Sequence, residues 1–255
     1  MSTLWDPDAY LARRDERARP FHDLLFRVHA ESPRAVVDLG CGPGNLTGLM
    51  RLRWPSAPLR ALDSSPEMVA AARAAGIDAQ LGDVTQWRPG PDADVVVCNA
   101  VLQWVPGHPE LLRRWAAELP SGAWLAIQVP ANFDAPSHSA ARRLVELPRW
   151  RDRIGGSLRG PDAVLDAAGY AELLAGAGCE VDAWETTYLH RLAGPDPVLD
   201  WMTGTALRPV RSALTDEEWV SFCAELAPRL RQAYPARADG TTWLPFRRVF
   251  AVART

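Results

Sequence analysis

The chain contains no lysine: all 28 of its basic residues are arginine. GC-rich codon usage explains much of that bias, yet the absence has chemical consequences. A pyridoxal Schiff base, a phosphate-loop lysine and a lysine general base are all excluded. Any anion gripped by a side-chain cation must be gripped by arginine or by protonated histidine. Cysteine is scarce as well. Cys41, Cys98, Cys179 and Cys223 are scattered without paired metal spacing, so no metal site is expected. In a chain of this length they read as reduced, which places the protein in the cytoplasm. No apolar run approaches the ~20 residues needed to cross a bilayer. The polar, Arg-rich stretch from Met1 to Arg19 lacks the apolar core of a signal peptide. Blocks of like charge are missing too: 28 basic against 31 acidic residues leave a formal charge of −3. Nucleic-acid binders concentrate basic charge on one face. The expected partner is therefore a small molecule, with no nucleic acid, membrane or obligate protein partner.

What is present is an ordinary globular chain: 255 residues, 47% hydrophobic, suit one domain with a substantial core. Short β-branched runs predict strands at Arg34–Leu39, Leu59–Asp63, Ile77–Gly82, Ala93–Ala100 and Ala123–Val129. Helices are predicted between them at Asn45–Arg53, from Pro66 to Ala75 behind the N-cap Ser65, and at His108–Leu119. Such alternation predicts an α/β fold, a parallel sheet covered by helices with right-handed crossovers. Beyond Pro130 helices are predicted at Pro136–Leu147, Tyr170–Ala177, Pro195–Leu207 and Thr215–Ala233. Cys179–Leu192 alternates as a long strand, and Arg247–Ala253 is a last one. Helical insertions at about 131–168 and 193–244 are expected to cap the carboxyl ends of the sheet within a single domain, where open α/β folds bind ligands.

The most informative segment is Val36-Val37-Asp38-Leu39-Gly40-Cys41-Gly42-Pro43-Gly44-Asn45. Glycines between strand and helix let the backbone approach a ligand, with helix N–H groups aimed at it. The spacing is G-x-G-x-G, and Asp38 precedes the first glycine. A carboxylate there would repel a pyrophosphate but suits an ammonium or a sulfonium. Asp63 ends the second strand, where a carboxylate accepts both hydroxyls of a ribose in nucleotide-binding α/β folds. Asp83 follows the third strand, placed to accept from an adenine amino group. Cys98-Asn99-Ala100 closes the fourth, followed by Leu102-Gln103-Trp104.

Together the stretches DLGCGPGN, ALDSSPEM, LGDV and CNAVLQW resemble the class I S-adenosylmethionine-dependent methyltransferases. That resemblance implies a Rossmann-like, seven-stranded, mostly parallel sheet whose last strand is antiparallel, and S-adenosyl-L-methionine as methyl donor. It assigns donor binding to Tyr10 and Arg19 of an N-terminal lid (about 1–31). The loop contributes Asp38, Gly40, Cys41, Gly42 and Gly44, and later strand ends contribute Asp63, Ser64, Met68, Asp83, Val84, Asn99, Ala100 and Trp104. Outside the donor half, Trp5 to Leu11, Gly178 to His190, Asp200-Trp201 with Leu207-Arg208-Pro209, and Arg247 to Arg254 resemble the trans-aconitate 2-methyltransferase family. This second likeness implies O-methylation of one carboxylate of trans-aconitate, giving a monomethyl ester and S-adenosylhomocysteine.

That reaction asks for little acid–base help, because a carboxylic acid titrates near ~4 and is already ionised at neutral pH. No obligatory catalytic residue is expected; Tyr188, His190 and Arg208 are expected to orient the reactants. Two carboxylates of the acceptor must be held while the third meets the methyl group, work suited to bidentate arginine. The candidates are Arg208, Arg247 (or its neighbour Arg248) and Arg159. Tyr188 and His190 lie two apart on one strand and so share a face. Gln128 and Asn132 complete the acceptor set. Most of the 28 arginines belong on a solvated surface, and Trp201, Trp219 and Trp243 belong to packing. Two alternatives stay open: a methyltransferase acting on another polycarboxylate or a phenolic acceptor, and a non-catalytic S-adenosylmethionine-binding protein.

Overall fold

The computed structural model describes residues 14–255, with side chains from residue 18 onward. The Trp5–Leu11 segment, and with it Tyr10, lies outside the described residues. Seven strands form one sheet in the order β3-β2-β1-β4-β5-β7-β6: β1 Ala35–Leu39, β2 Leu59–Asp63, β3 Ala79–Leu81, β4 Ala93–Asn99, β5 Trp124–Pro130, β6 Glu180–Ala193 and β7 Thr241–Arg254. Strands β1 to β5 pair in parallel, and β7 runs antiparallel to β5. The expected mostly parallel sheet with an antiparallel last strand is what the chain forms.

Contacts divide the residues into two compact units. One contains the described chain up to Pro130, Val164–Thr186 and Arg248–Thr255; the other contains Ala131–Ala163 and Thr187–Arg247. In the first unit β1 is central and buried along its whole length, as a parallel strand covered on both faces must be. Strand order reverses between β1 and β4. Open α/β sheets bind ligands at such a switch point, outside the carboxyl ends of the strands. Helices α1 (Arg14–Phe26), α2 (Thr47–Arg53), α3 (Pro66–Ala74), α4 (His108–Glu118) and α7 (Ala167–Ala175) belong to this unit. Ser65 caps α3 as expected, its Oγ accepting from Met68 N.

The second unit holds α5 (Pro136–Val145), α6 (Pro148–Ile154), α8 (Pro197–Thr203), α9 (Arg208–Ala213) and α10 (Asp216–Ala233). Its core gathers Leu144, Trp150, Trp201, Phe222, Leu226 and Phe246. Trp150 meets Phe222 edge-to-face at 5.5 Å. Burying each such side chain stabilises by about 1.5–3 kcal/mol. Thr215 and Glu218 close a capping box on α10.

Several boundaries depart from the sequence reading. The helix after the glycine loop starts at Thr47 rather than Asn45, because the loop's positive-φ glycines continue through Gly44 (φ 81°). The predicted Pro195–Leu207 helix ends early: α8 stops at Thr203, and a separate helix, α9, begins at Arg208. Pro209 has no N–H to bond an earlier turn, so it opens a new helix instead of extending the old one. With α9, three helices were missed. In α1 the apolar stripe (Phe21, Leu24, Leu25, all buried) occupies only the second half, behind Pro20. In α6, Pro148 reads as a terminator although it stands at the helix start. The last strand begins at Thr241, not Arg247; Pro245 obscures a two-residue alternation that the structure shows clearly.

Among the described residues no helix is long and apolar enough to cross a membrane.

Candidate active site

The glycine loop leaves β1 at Gly40 and is pinned at once to β2. Gly40 N and Cys41 N both donate to Leu62 O, at 2.7 and 3.0 Å. A side chain at Gly40 would meet Val101 Cγ2 at 2.2 Å, and its φ of +80° is in the left-handed region. Glycine is therefore required there. Pinning the loop brings Gly42 N to Asp63 Oδ2 at 2.8 Å, while Asp63 Oδ1 accepts from Ser65 N at 2.9 Å. Each carboxylate oxygen keeps a second lone pair for a ligand. Burial raises the Asp63 pKa above the ordinary carboxylate range, opposed by the N–H groups of Ser65, Gly42 and Ser64.

Beneath the loop, Asp38 is buried and accepts from Thr47 Oγ1 at 2.6 Å. Burial pushes its pKa up to about 7, against the pull of the Thr47 hydroxyl and helped by the negative charge of Asp63. A buried carboxylate poised near neutrality is set to be charged by any cation placed close by.

These elements border a cleft of about 390 Å³, within the ~300–1,000 Å³ range of small-ligand pockets. It is walled by Gly40, Gly42, Asp63, Ser64 and Met68 on one side, Asp83, Val84 and Thr85 at one end, and Asn99 to Val101 with Trp104 to Pro106 on the other. Among the described residues, Asp63 and Asp83 are the ionisable side chains in that wall, both acidic. Asp83 is exposed, and its Oδ1 accepts from Thr85 N at 2.8 Å. The β4 end is strained: Ala100 has φ +58°, held by Ala100 N donating to Gln128 O at 2.8 Å and Gln103 Nε2 donating to Ala100 O at 2.6 Å. Non-glycine residues in this conformation cluster at functional sites. Beside it Asn99 Oδ1 is buried without a hydrogen-bond partner, an acceptor suited to an N–H from a ligand.

Of the predicted donor residues, Gly40, Gly42, Asp63, Ser64, Met68, Asp83, Val84, Asn99, Ala100 and Trp104 come together around this cleft. Asp38, Cys41 and Gly44 do not line it. Cys41 instead packs with Ala61, Val69, Ala72, Ile77 and Ala79, and burial raises its thiol pKa. Gly44 brings the loop against Ala72 and Ile77. Arg19 is exposed on α1. Sequence reasoning missed Thr47, which anchors Asp38, and the cleft residues Thr85, Val101, Val105 and Pro106. Val101 already lies within CNAVLQW, and Thr85, Val105 and Pro106 directly continue LGDV and CNAVLQW, so reading each motif two residues further would have found them.

The acceptor candidates are more dispersed. Gln128, in the first unit, is fully buried on β5, its Oε1 accepting from Arg248 Nη1 at 3.2 Å. In the second unit Asn132 and Arg247 bind each other. Arg247 N donates to Asn132 Oδ1 at 2.7 Å, Asn132 Nδ2 donates to Arg247 O at 3.1 Å, and the Arg247 guanidinium reaches Ala131 O and Asp134. Arg159 lies 5.5 Å over the Phe133 ring, in a recess shared with His138 and Arg142. Burial pulls its pKa down to about 10, so it stays cationic at neutral pH. Tyr188 and His190 are both buried; His190 stacks on Trp201 at 4.6 Å. Arg208 is partly buried in the first turn of α9.

Residues 10–183 match the family described as a methyltransferase domain. The chain is 62% identical over 253 residues to trans-aconitate 2-methyltransferase of Mycobacterium sp. strain KMS, covering 99% of this chain and 100% of that relative. Its identity to the protein of that name from Rhodococcus jostii RHA1 is also 62%, over 98% and 99% of the two chains. The Mycobacterium tuberculosis H37Ra protein is 56% identical, over 98% and 96%. Among solved structures the chain is similar to YcgJ from Bacillus subtilis, with a TM-score of 0.58 at 12% identity, over 92% of this chain and 98% of that one. Phosphoethanolamine N-methyltransferase 2 of Haemonchus contortus, solved with S-adenosyl-L-methionine, gives 0.55 at 13%, over 92% and 52%. At these identities the solved structures share the fold.

Proposed function

The chain belongs to the trans-aconitate 2-methyltransferase family, and from that membership and the acidic cleft we infer that it esterifies a carboxylate of trans-aconitate with the methyl group of S-adenosyl-L-methionine. The products are the monomethyl ester and S-adenosylhomocysteine. The observation that carries the donor half is the charge of the cleft: among the described residues its ionisable wall groups, Asp63 and Asp83, are both acidic. A cationic donor gains from that field, whereas a dinucleotide pyrophosphate would be repelled by it.

When bound, S-adenosyl-L-methionine supplies a methyl group activated by a positively charged sulfur. The chain's part is to hold, orient and dry the two reactants. Asp63, its carboxylate fixed by two backbone N–H groups, is positioned to accept the two ribose hydroxyls. Asp83 is assigned the adenine amino group, and Asn99 Oδ1 an ammonium N–H. The loop glycines let the ligand approach the backbone. Asp38 adds negative charge behind the loop. The acceptor arrives ionised, so the protein has no proton to remove from it. Orientation alone can lower such a barrier by ~7–11 kcal/mol. Arginine holds the spectator carboxylates in this reading; Arg159 and Arg208 are the second unit's candidates, with Tyr188 and His190 in the same unit. Cys41, Cys98, Cys179 and Cys223 are free thiols, which suits the cytoplasm assigned to the protein.

The test is direct. Purified protein, methyl-labelled donor and a panel of di- and tricarboxylic acids and phenols are incubated, and products are separated by mass. A single added methyl on trans-aconitate supports the reading. Labelling of a phenol and of no carboxylate overturns it, as does donor binding without turnover on any acid.

A further inference from the structure

Of the two adjacent arginine candidates on β7, Arg248 is the buried one and belongs to the first unit. Arg248 is 7% exposed, a rare state for arginine. Strand pairing sets its neighbours. Asn99 on β4 pairs with Gln128 on β5, and Pro130 on β5 pairs with Arg248 on β7. Paired residues share a face, and Gln128 and Pro130 are two apart, so Asn99, Gln128 and Arg248 form a polar row on one face at the carboxyl edge of the sheet. Arg247 precedes Arg248 and points the other way, toward Ala131 and Asp134.

Two atoms of the row are unsatisfied. Asn99 Oδ1 and Gln128 Nε2 are both buried without a hydrogen-bond partner. The Gln128 amide cannot gain by turning over, because its Oε1 already accepts from Arg248 Nη1 at 3.2 Å; the reverse orientation would set two donors together. A buried donor left unpaired is costly, and it persists sensibly where a ligand atom completes it. Asn99 belongs to the wall of the donor cleft, so the row starts at the donor and leads away from it across two strands. An anionic group is the chemistry that satisfies a guanidinium and an adjacent amide N–H together.

We propose that Arg248 and Gln128 Nε2 form a carboxylate-binding subsite for the acceptor, with Arg248 rather than Arg247 as the β7 specificity residue. The proposal rests on the reading of the protein as a polycarboxylate methyltransferase. Gln128 is a positioning residue for the guanidinium as well as a donor in its own right.

The test uses the full chain and three variants. Gln128→Glu preserves volume and sets a carboxylate against Arg248, so folding is not expected to suffer while the subsite is filled by charge from within. KM for trans-aconitate should rise about 10–100-fold, with the S-adenosylhomocysteine dissociation constant unchanged within about twofold. Arg248→Met should do the same, and Arg248→Lys should recover part of the loss. The decisive readout is discrimination. The kcat/KM ratio between trans-aconitate and dicarboxylates lacking one spectator carboxylate should collapse, for one of those acids, in both the Gln128→Glu and the Arg248→Met variants. Unchanged KM in Gln128→Glu overturns the proposal, and so does an equal loss on every acid or a parallel loss of S-adenosylhomocysteine binding. If the unmodified protein methylates no carboxylate, the functional reading fails and the subsite falls with it. If it methylates trans-aconitate and the variants match it, the subsite alone is wrong.

Discussion

Replacing Asp63 by asparagine separates the two tasks assigned to that carboxylate. Its oxygens each take one backbone N–H, from Gly42 at 2.8 Å and from Ser65 at 2.9 Å. An asparagine amide has one acceptor oxygen, so in either orientation one of those N–H groups faces an NH₂. Hydrogen bonds to charged groups contribute about 1.5–3 kcal/mol each. Losing one within the protein should lower Tm by about 3–10 °C in a chain of this size. The ribose loses ionic acceptors as well, and a further ~1.5–3 kcal/mol corresponds to a roughly 10–100-fold weaker dissociation constant. Calorimetry with S-adenosylhomocysteine measures that constant, and thermal unfolding measures the first loss. A 2′,3′-dideoxy analogue isolates the hydroxyls: it should bind the unmodified protein weakly and lose little more in Asp63→Asn. Binding of S-adenosylhomocysteine within about threefold of the unmodified chain would refute the ribose assignment. Equal losses for the two ligands would assign the whole effect to the loop.

Three further outcomes follow from the same geometry. Asp38 sits near pH 7 because it is buried, and a cation favours its charged form; donor affinity should be level above about pH 8 and fall up to tenfold per unit as pH drops through 7, a slope that Asp38→Asn should flatten in calorimetry. The sign for the ligand-free fold is opposite. Charging a group whose folded pKa is raised destabilises the fold as pH climbs from about 4 through 7, and urea unfolding across that range checks it. Gly40→Ala drives a Cβ to 2.2 Å from Val101 Cγ2 at φ +80°, for a loss of about 2–4 kcal/mol in urea midpoints; adding Val101→Ala should restore the packing part but not the backbone part. Finally, no histidine among the described residues lines the cleft, so kcat at saturating substrates should be flat from about pH 6.5 to 9. A limb near 6.5 would reveal a histidine base.

The donor half was legible because its residues act where the chain itself puts them. A glycine loop and acids at successive strand ends lie within short stretches of sequence, and parallel crossovers bring those ends to one edge. Thus Asp63 and Asp83 could be placed from Leu59–Asp63 and LGDV alone. What stayed hidden depends on long-range partners. Thr47 acquires its role only when α2 folds back over Asp38. Asn132 and Arg247, 115 residues apart, read as two polar candidates but bind one another. The choice between Arg247 and Arg248 turns on a one-residue register of β7 against β5, because alternate residues of a strand face opposite ways; composition and spacing are identical for both.

That register also sets groups of opposite charge along one edge of the sheet. Parallel strands deliver their final residues to the carboxyl edge, and here β2 and β4 deliver Asp63 and Asn99, with Asp83 just beyond β3. A parallel sixth strand would add another strand end to that row. Because β7 is antiparallel to β5, it presents residues from partway along its length there instead: Arg248 stands opposite Pro130, the last residue of β5. The strand's following residues, Val249 to Ala253, are buried hydrophobics that fill the sheet. A cation at the carboxyl edge therefore needs no loop of its own; it is held by the ladder that closes the sheet, beside Gln128 and one strand further from the acids. Four inter-strand steps of ~4.8 Å separate β7 from β2, so Arg248 and Asp63 stand roughly 19 Å apart, beyond a Debye length, and neither neutralises the other. The antiparallel direction of β7 is therefore what sets Arg248 at the carboxyl edge of the sheet, opposite Pro130.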